Sequence, residues 1–87
     1  MGLNDTLKVL SDPTRRRILE ELRSGPKSAG ELVALFEASG ASISYHLKLL
    51  KQADLIRERK EKNFIFYSLN TTIFEEVLSW ISSLTKD

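Results

Sequence analysis

"SAGELVALFEASGASISYHLKLLKQADLI", residues 28 to 56, decides the fold. Ser28 and Glu31 fit the Ser-x-x-Glu box, in which each side chain satisfies a free backbone amide at a helix start, with Leu32, Val33, Leu35 and Phe36 as the apolar residues behind it. A helix of about nine residues is expected there. The stretch Ala38 to Gly40 breaks it, Ser39 can cap the next helix, and that helix runs to about Ala53 or Asp54. Two helices joined by so short a turn form a helix-turn-helix.

At about 100° per residue, Ile43, Leu47 and Leu50 fall within about 60° of one another and make the buried stripe of the second helix. Ala41, Tyr45, Lys48 and Gln52 fall opposite, with Ser44 and Lys51 on one flank and Ser42 and His46 on the other. A merely solvated face is ordinarily filled with Glu, Lys, Gln and Arg, whereas Ser and Tyr are weaker helix formers. A short, hydroxylic N-terminal half suits a helix seated in the DNA major groove, where small side chains permit close approach and hydroxyls donate to bases or phosphates. An ordinary exposed face is the plainer alternative. Leu49 fits neither side, and cover by the following hairpin is expected. His46, the only histidine, sits at the edge of the stripe and with no Cys in the chain anchors no zinc site. Phosphate contact and packing against the preceding helix are both open to it.

Beyond this stretch, punctuation divides the chain into five helical pieces and one hairpin. Leu3, Leu7 and Leu10 make an apolar stripe on a first short helix. Asp12 as cap and Pro13 in the first helical position start a second, which runs to about Arg23, stops at Gly25-Pro26 and buries Ile18, Leu19 and Leu22. Arg15, Arg16 and Arg17 lie in its first turn, where the helix dipole disfavours cations. Ion pairing with Asp12 or Glu20 would offset that placement; contact with DNA or a partner subunit is the alternative.

From Leu55 to Leu69 the period changes to two, with Ile65, Tyr67 and Leu69 on one face and Phe64 and Phe66 on the other. A turn at Glu61 to Asn63 makes a two-stranded hairpin with a basic tip, and Arg57, Arg59, Lys60, Lys62 and Asn63 are the candidate phosphate contacts, although Glu58 and Glu61 dilute the field. A charged edge strand kept soluble is the alternative reading. Thr72 and Glu75 suggest a box opening a last helix over residues 72 to 85, which carries seven large apolar residues, more than one stripe needs.

At 87 residues the chain is one domain, and a domain this short buries only roughly 60% of its unfolded surface, so a partner subunit would help. No secretory pattern and no run of about 18 apolar residues is present, which points to a cytoplasmic protein without a membrane span. The absence of cysteine excludes disulfides, thiolate metal sites, thiol sensing and Cys nucleophiles. Net charge is only +1, but residues 41 to 63 carry six basic groups against three acidic. That asymmetry, not the total, suggests nucleic acid as partner. With one His, no glycine-rich phosphate loop and no recognisable carboxylate pair, an enzyme is disfavoured and no cofactor is implied. The main rival is a module whose exposed face binds a protein and never DNA.

"LSDPTRRRIL", "SISYHLKLLKQADLI" and "IFYSLNTT", in that order and spacing, resemble the ArsR/SmtB family of bacterial winged helix-turn-helix repressors over nearly the whole chain. The likeness is strongest to its small, metal-independent, SdpR-like autorepressor branch. The resemblance implies a mainly α fold with a small β-hairpin (ααααββα), with the helix-turn-helix at 28–54 and the wing at 55–69. It also implies a homodimer joined through the first and last helices on an inverted-repeat operator of double-stranded DNA. The family's recognition contacts fall on Gly40, Ala41, Ser44 and Tyr45, with Ser42, His46 and Lys48 beside them. Its thiolate metal motif falls on Ser28, Gly30 and Val33, none of them ligands. Its carboxylate and His site has Glu75, Glu76 and Asp87 but no His between residues 70 and 87, so these departures argue against metal sensing. In such a dimer Ile73, Val77 and Ile81 can cover the chain's own core while Phe74, Leu78 and Trp80 meet the partner with Leu3 and Leu7; Ile81 is counted with the interface as well. Trp80 as an intramolecular core aromatic is the alternative. An inducer, where one exists, would be a small molecule or a sequestering protein.

Overall fold

The computed structural model describes residues 2–85, so Asp87, named above as a possible ligand, lies outside the described residues. The elements are α1 (Leu3–Leu10), α2 (Pro13–Glu21) with a 3-10 turn at Leu22–Ser24, β1 (Lys27–Ser28), α3 (Ala29–Ala34), α4 (Gly40–Gln52), β2 (Ile56–Glu61), β3 (Phe64–Leu69) and α5 (Thr71–Ser83). The winged helix-turn-helix expected from the sequence is therefore present, with one addition. Lys27 and Ser28 pair antiparallel with Tyr67 and Phe66, which makes the hairpin a three-stranded sheet in the order β1-β3-β2. Two residues are too few to show a period, so the third strand left no sequence signal.

Local chemistry explains where each helix starts. Asp12 accepts from the Arg15 amide, Ser28 and Glu31 make the reciprocal box, and Ser39 accepts from the Ser42 amide. The box expected at Thr72 and Glu75 is not the cap of α5. Asn70 caps it instead, accepting from the Thr72 amide, because β3 ends one residue earlier and its last turn leaves Asn70 extended. Helix α3 is six residues, shorter than expected: the Leu35 and Phe36 amides close back on the Leu32 and Val33 carbonyls, a tightening that ends the helix before the turn. At the other end of the motif, α4 stops where Asp54 takes a φ of 58°, and the Asp54 and Leu55 amides bond the Lys51 and Leu50 carbonyls.

The core joins α2, α3, α4 and the sheet through Ile18, Leu19, Leu22, Leu32, Ile43, Leu47, Leu50, Ala53, Leu55, Ile56 and Tyr67. The predicted stripe of α4 is fully buried. In the hairpin the predicted inner face of β3, Ile65, Tyr67 and Leu69, lies opposite Lys60, Glu58 and Ile56. Leu49 is half-buried, but the open space beside it is bordered by α1 and α2 rather than by the expected hairpin: a cavity of about 350 Å³ has Asp5, Lys8, Val9 and Arg15 among its walls.

Helix α5 contains no buried residue. Its first turn, Ile73 and Phe74, packs partly on the core, whereas Leu78, Trp80, Ile81 and Leu84 stay exposed. The division of this helix differs from expectation: Phe74 leans on its own core and Ile81 does not. The chain is long and narrow, 50 × 24 × 23 Å, and a helix leaving an elongated body after one turn has too little of its own surface to lie on.

Candidate nucleic-acid interface

Helix α4 presents its N-terminal half to solvent. Gly40, Ala41, Ser44, Tyr45 and Lys48 are exposed, Ser42 and His46 are half-buried, and the inward residues Ile43 and Leu47 hold the helix to the core. Tyr45 is 58% exposed, a large aromatic left outside a core that had room for Tyr67. No side-chain hydrogen bond within the described residues engages Ala41, Ser44, Tyr45 or Lys48, so the face is free for another molecule. The predicted outward set thus lies together on one surface, at the end of the helix that a helix-turn-helix offers to base edges.

The wing residues divide into two groups. Arg57 donates to Asn70 Oδ1 at 3.4 Å, and Arg59 pairs with Glu61 at 3.0 Å while lying 5.5 Å from the centre of the Phe66 ring. Lys60 and Lys62 form no ion pair among the described residues, and Lys62, with Asn63 beside it, sits at the hairpin tip with a φ of 56°. The exposed Arg59–Glu61 pair is of a kind that contributes little to stability, so exchanging Glu61 for a phosphate is inexpensive. Glu58 serves the scaffold: it accepts from Lys51 of α4 at 3.2 Å and from the Tyr67 hydroxyl at 3.4 Å, bracing the wing's base against the recognition helix. Burial first, and the Glu58 carboxylate second, push the Tyr67 phenol above its ordinary range.

Arg15, Arg16 and Arg17 pair with neither Asp12 nor Glu20 in the way expected. Arg15 Nε donates to the Val9 carbonyl at 2.7 Å and Arg16 to the Leu10 carbonyl at 2.8 Å, both at the end of α1. Arg17 donates to the Leu35 carbonyl at 3.1 Å, at the end of α3, and stacks 4.6 Å over the Phe36 ring. The dipole of α2 disfavours these cations, and the C-terminal carbonyls of its two neighbours offset that cost. Asp12, whose carboxyl is held below its usual range chiefly by the Arg15 amide, acts as a cap. The Arg17 contact joins positions 18 apart, and the other two cross from one helix to the next, so no periodic pattern relates any of these pairs.

His46 is also placed by α2. Its Nδ1 lies 3.2 Å from Arg15 Nη1 and 4.0 Å from Asp12, and its side chain is 15% exposed. Among the described residues no three His, Cys, Asp or Glu side chains gather as a metal site. Leu3 and Thr6 of α1 and Ile73, Val77 and Trp80 of α5 border a common cavity of about 270 Å³. No helix among the described residues is long and apolar enough to cross a membrane.

Comparison with known proteins agrees with this geometry. Residues 10–59 match the family model of a helix-turn-helix domain. The transcriptional repressor SdpR of Bacillus subtilis is 44% identical over 79 residues, 91% of this chain and 88% of the relative. An arsenical resistance operon repressor of Staphylococcus aureus is 36% identical, over 87% of this chain and 73% of its own. Among solved structures, an ArsR-like transcriptional regulator from Rhodococcus sp. RHA1 superposes with a TM-score of 0.89 at 27% identity, covering 94% of this chain and 75% of that one. A possible transcriptional regulator for arsenical resistance does so at 0.84 and 36%, covering 95% and 86%. With its outward α4 face, its basic wing and these relatives, the chain belongs to the ArsR/SmtB family of winged helix-turn-helix DNA-binding transcriptional repressors.

Proposed function

We propose that the protein is a cytoplasmic homodimer that represses transcription by binding an inverted-repeat operator, with one α4 in each of two successive major grooves. The observation that carries this reading is the unpartnered N-terminal face of α4, with Ala41, Ser44 and the 58% exposed Tyr45 at its centre. Gly40, exposed at the first position of α4, presents bare backbone to the groove. Ser42 and His46 flank the base-reading set, and Lys48 takes a phosphate. Lys60, Lys62 and Asn63 follow the DNA backbone from the wing, and Arg57 and Arg59 join them on exchanging their present partners. The dimer forms through Leu3, Leu7, Leu78, Trp80 and Ile81, with Phe74 offering only the part of its ring that its own core leaves uncovered, and the paired half-sites then lie about one helical turn, ~34–36 Å, apart. The named relatives are regulators rather than enzymes, which supports a role in binding rather than in chemistry.

The test begins with selection of bound sequences from a random duplex pool, from which an inverted repeat is expected. Fluorescence anisotropy on that operator and a scrambled duplex then separates the two kinds of contact. Tyr45→Ala is expected to weaken operator binding by about 1–3 kcal/mol and leave scrambled binding nearly unchanged. Lys62→Ala weakens both alike and lowers the salt slope by about 1. Equal losses on both duplexes for Tyr45→Ala would sink the base-reading role, and failure to be retained on heparin at low salt would favour a protein partner instead.

A further inference from the structure

The junction of α1, α2 and α4 holds a constellation that the roles above leave unused. The half-buried Arg15 guanidinium donates twice, from Nε to the Val9 carbonyl at 2.7 Å and from Nη1 to His46 Nδ1 at 3.2 Å. A guanidinium has no acceptor, so the imidazole nitrogen must be the acceptor in this contact. A neutral imidazole that accepts at Nδ1 carries its proton on Nε2. The rival partner for the same nitrogen is Asp12 Oδ2, but at 4.0 Å it is beyond hydrogen-bond reach. That oxygen is already occupied by the Arg15 amide at 3.0 Å. The backbone of Arg15 thus holds Asp12, and its side chain holds His46. The His46 ring in turn lies 5.9 Å from the Tyr45 ring, tilted by 59°, beside the residue offered to the groove.

We propose that Arg15 is a positioning residue for operator recognition, fixing the recognition helix to the end of α1 through His46 and, by occupying Nδ1, leaving Nε2–H as the ring's donor beside Tyr45. The inference rests on the DNA-binding reading. Its physical content is that two charge-assisted bonds from one rigid fork on α2 join α1 and α4, so a shift of α1 is passed to α4 directly instead of being absorbed by the segments that separate them in the chain. Because α1 is also assigned to the dimer, the setting of the two recognition helices becomes a property of the assembled pair. Lysine cannot substitute, since a single ammonium on a flexible stem lacks the planar fork that reaches both acceptors at once.

Two measurements on the full chain decide it. Long-range proton–nitrogen spectra of the His46 ring at a pH where it is neutral are expected to show the proton on Nε2 in the wild type, and a mixture of tautomers in Arg15→Lys. In anisotropy titrations Arg15→Lys is expected to lose about tenfold in operator affinity, the size of one hydrogen bond to a charged group, while scrambled affinity changes by less than about twofold. A wild-type ring protonated on Nδ1 overturns the proposal, and that result does not depend on any variant folding. Unchanged discrimination between the duplexes in Arg15→Lys overturns it while leaving the DNA reading intact. Failure of the wild-type protein to distinguish the duplexes overturns the DNA reading and this inference together.

Discussion

Truncating Leu78 tests the partner surface with little risk to the fold, because α5 buries none of its residues in the single chain. Leu78→Ala removes three carbons, each worth about 0.8 kcal/mol when taken fully out of water. Leu78 is 64% exposed in the single chain, so about two-thirds of that transfer, ~1.5 kcal/mol, is left for a partner to supply. A twofold interface uses the position twice, which gives about 3 kcal/mol and a rise of roughly a hundredfold in the dimer Kd. The chain's one tryptophan, Trp80, is 44% exposed and borders the cavity between α1 and α5, so its emission should move to longer wavelength as dilution separates the subunits. Sedimentation equilibrium on the same samples gives the constant directly. A change in Kd below about threefold would refute the assignment of this face to the partner. Loss of helical circular dichroism in the dilute variant would refute the argument that α5 stands outside the single chain's core.

Two further perturbations bear on local structure. Asp54→Gly relieves a left-handed residue at the end of α4, φ 58°, and is expected to raise stability by about 0.5–1 kcal/mol in urea unfolding; a lower midpoint would contradict it. The Asp12 carboxyl is held below its ordinary range, so its stabilisation is present above the unfolded value of about 3.9 and is lost as pH falls through the lower folded value. Thermal midpoints should therefore decline below about pH 4, and less steeply in Asp12→Asn, which keeps a capping oxygen without the titration; identical slopes would remove Asp12 from the account.

Much of the site was legible because it is periodic. The outward face of α4 and the inner face of β3 follow from spacings of 3.6 and 2 residues, and the caps Asp12, Ser28 and Ser39 follow from bonds that close within three residues. What was illegible joins positions far apart in the chain. The Arg17 to Leu35 and Arg15 to His46 contacts cross 18 and 31 positions, and the nearby carboxylates Asp12 and Glu20 made the more obvious, and incorrect, partners. The Asn70 cap was hidden for another reason: Thr72 and Glu75 satisfy the capping pattern equally well, and only the exact end of β3 chooses between them.

By itself the sequence determined the five helices and the hairpin, and the inward faces of α4 and β3, since these depend on local hydrogen bonding and on the period of apolar residues along a single element. Tertiary structure alone decided how the elements hold one another: β1 joining β3, the arginines of α2 reaching the carbonyl ends of α1 and α3, and α5 left with its apolar surface in water. Those outcomes depend on distances between segments brought together only by folding, and a residue's partner across such a gap is set by the packing of the whole core rather than by its neighbours in the chain.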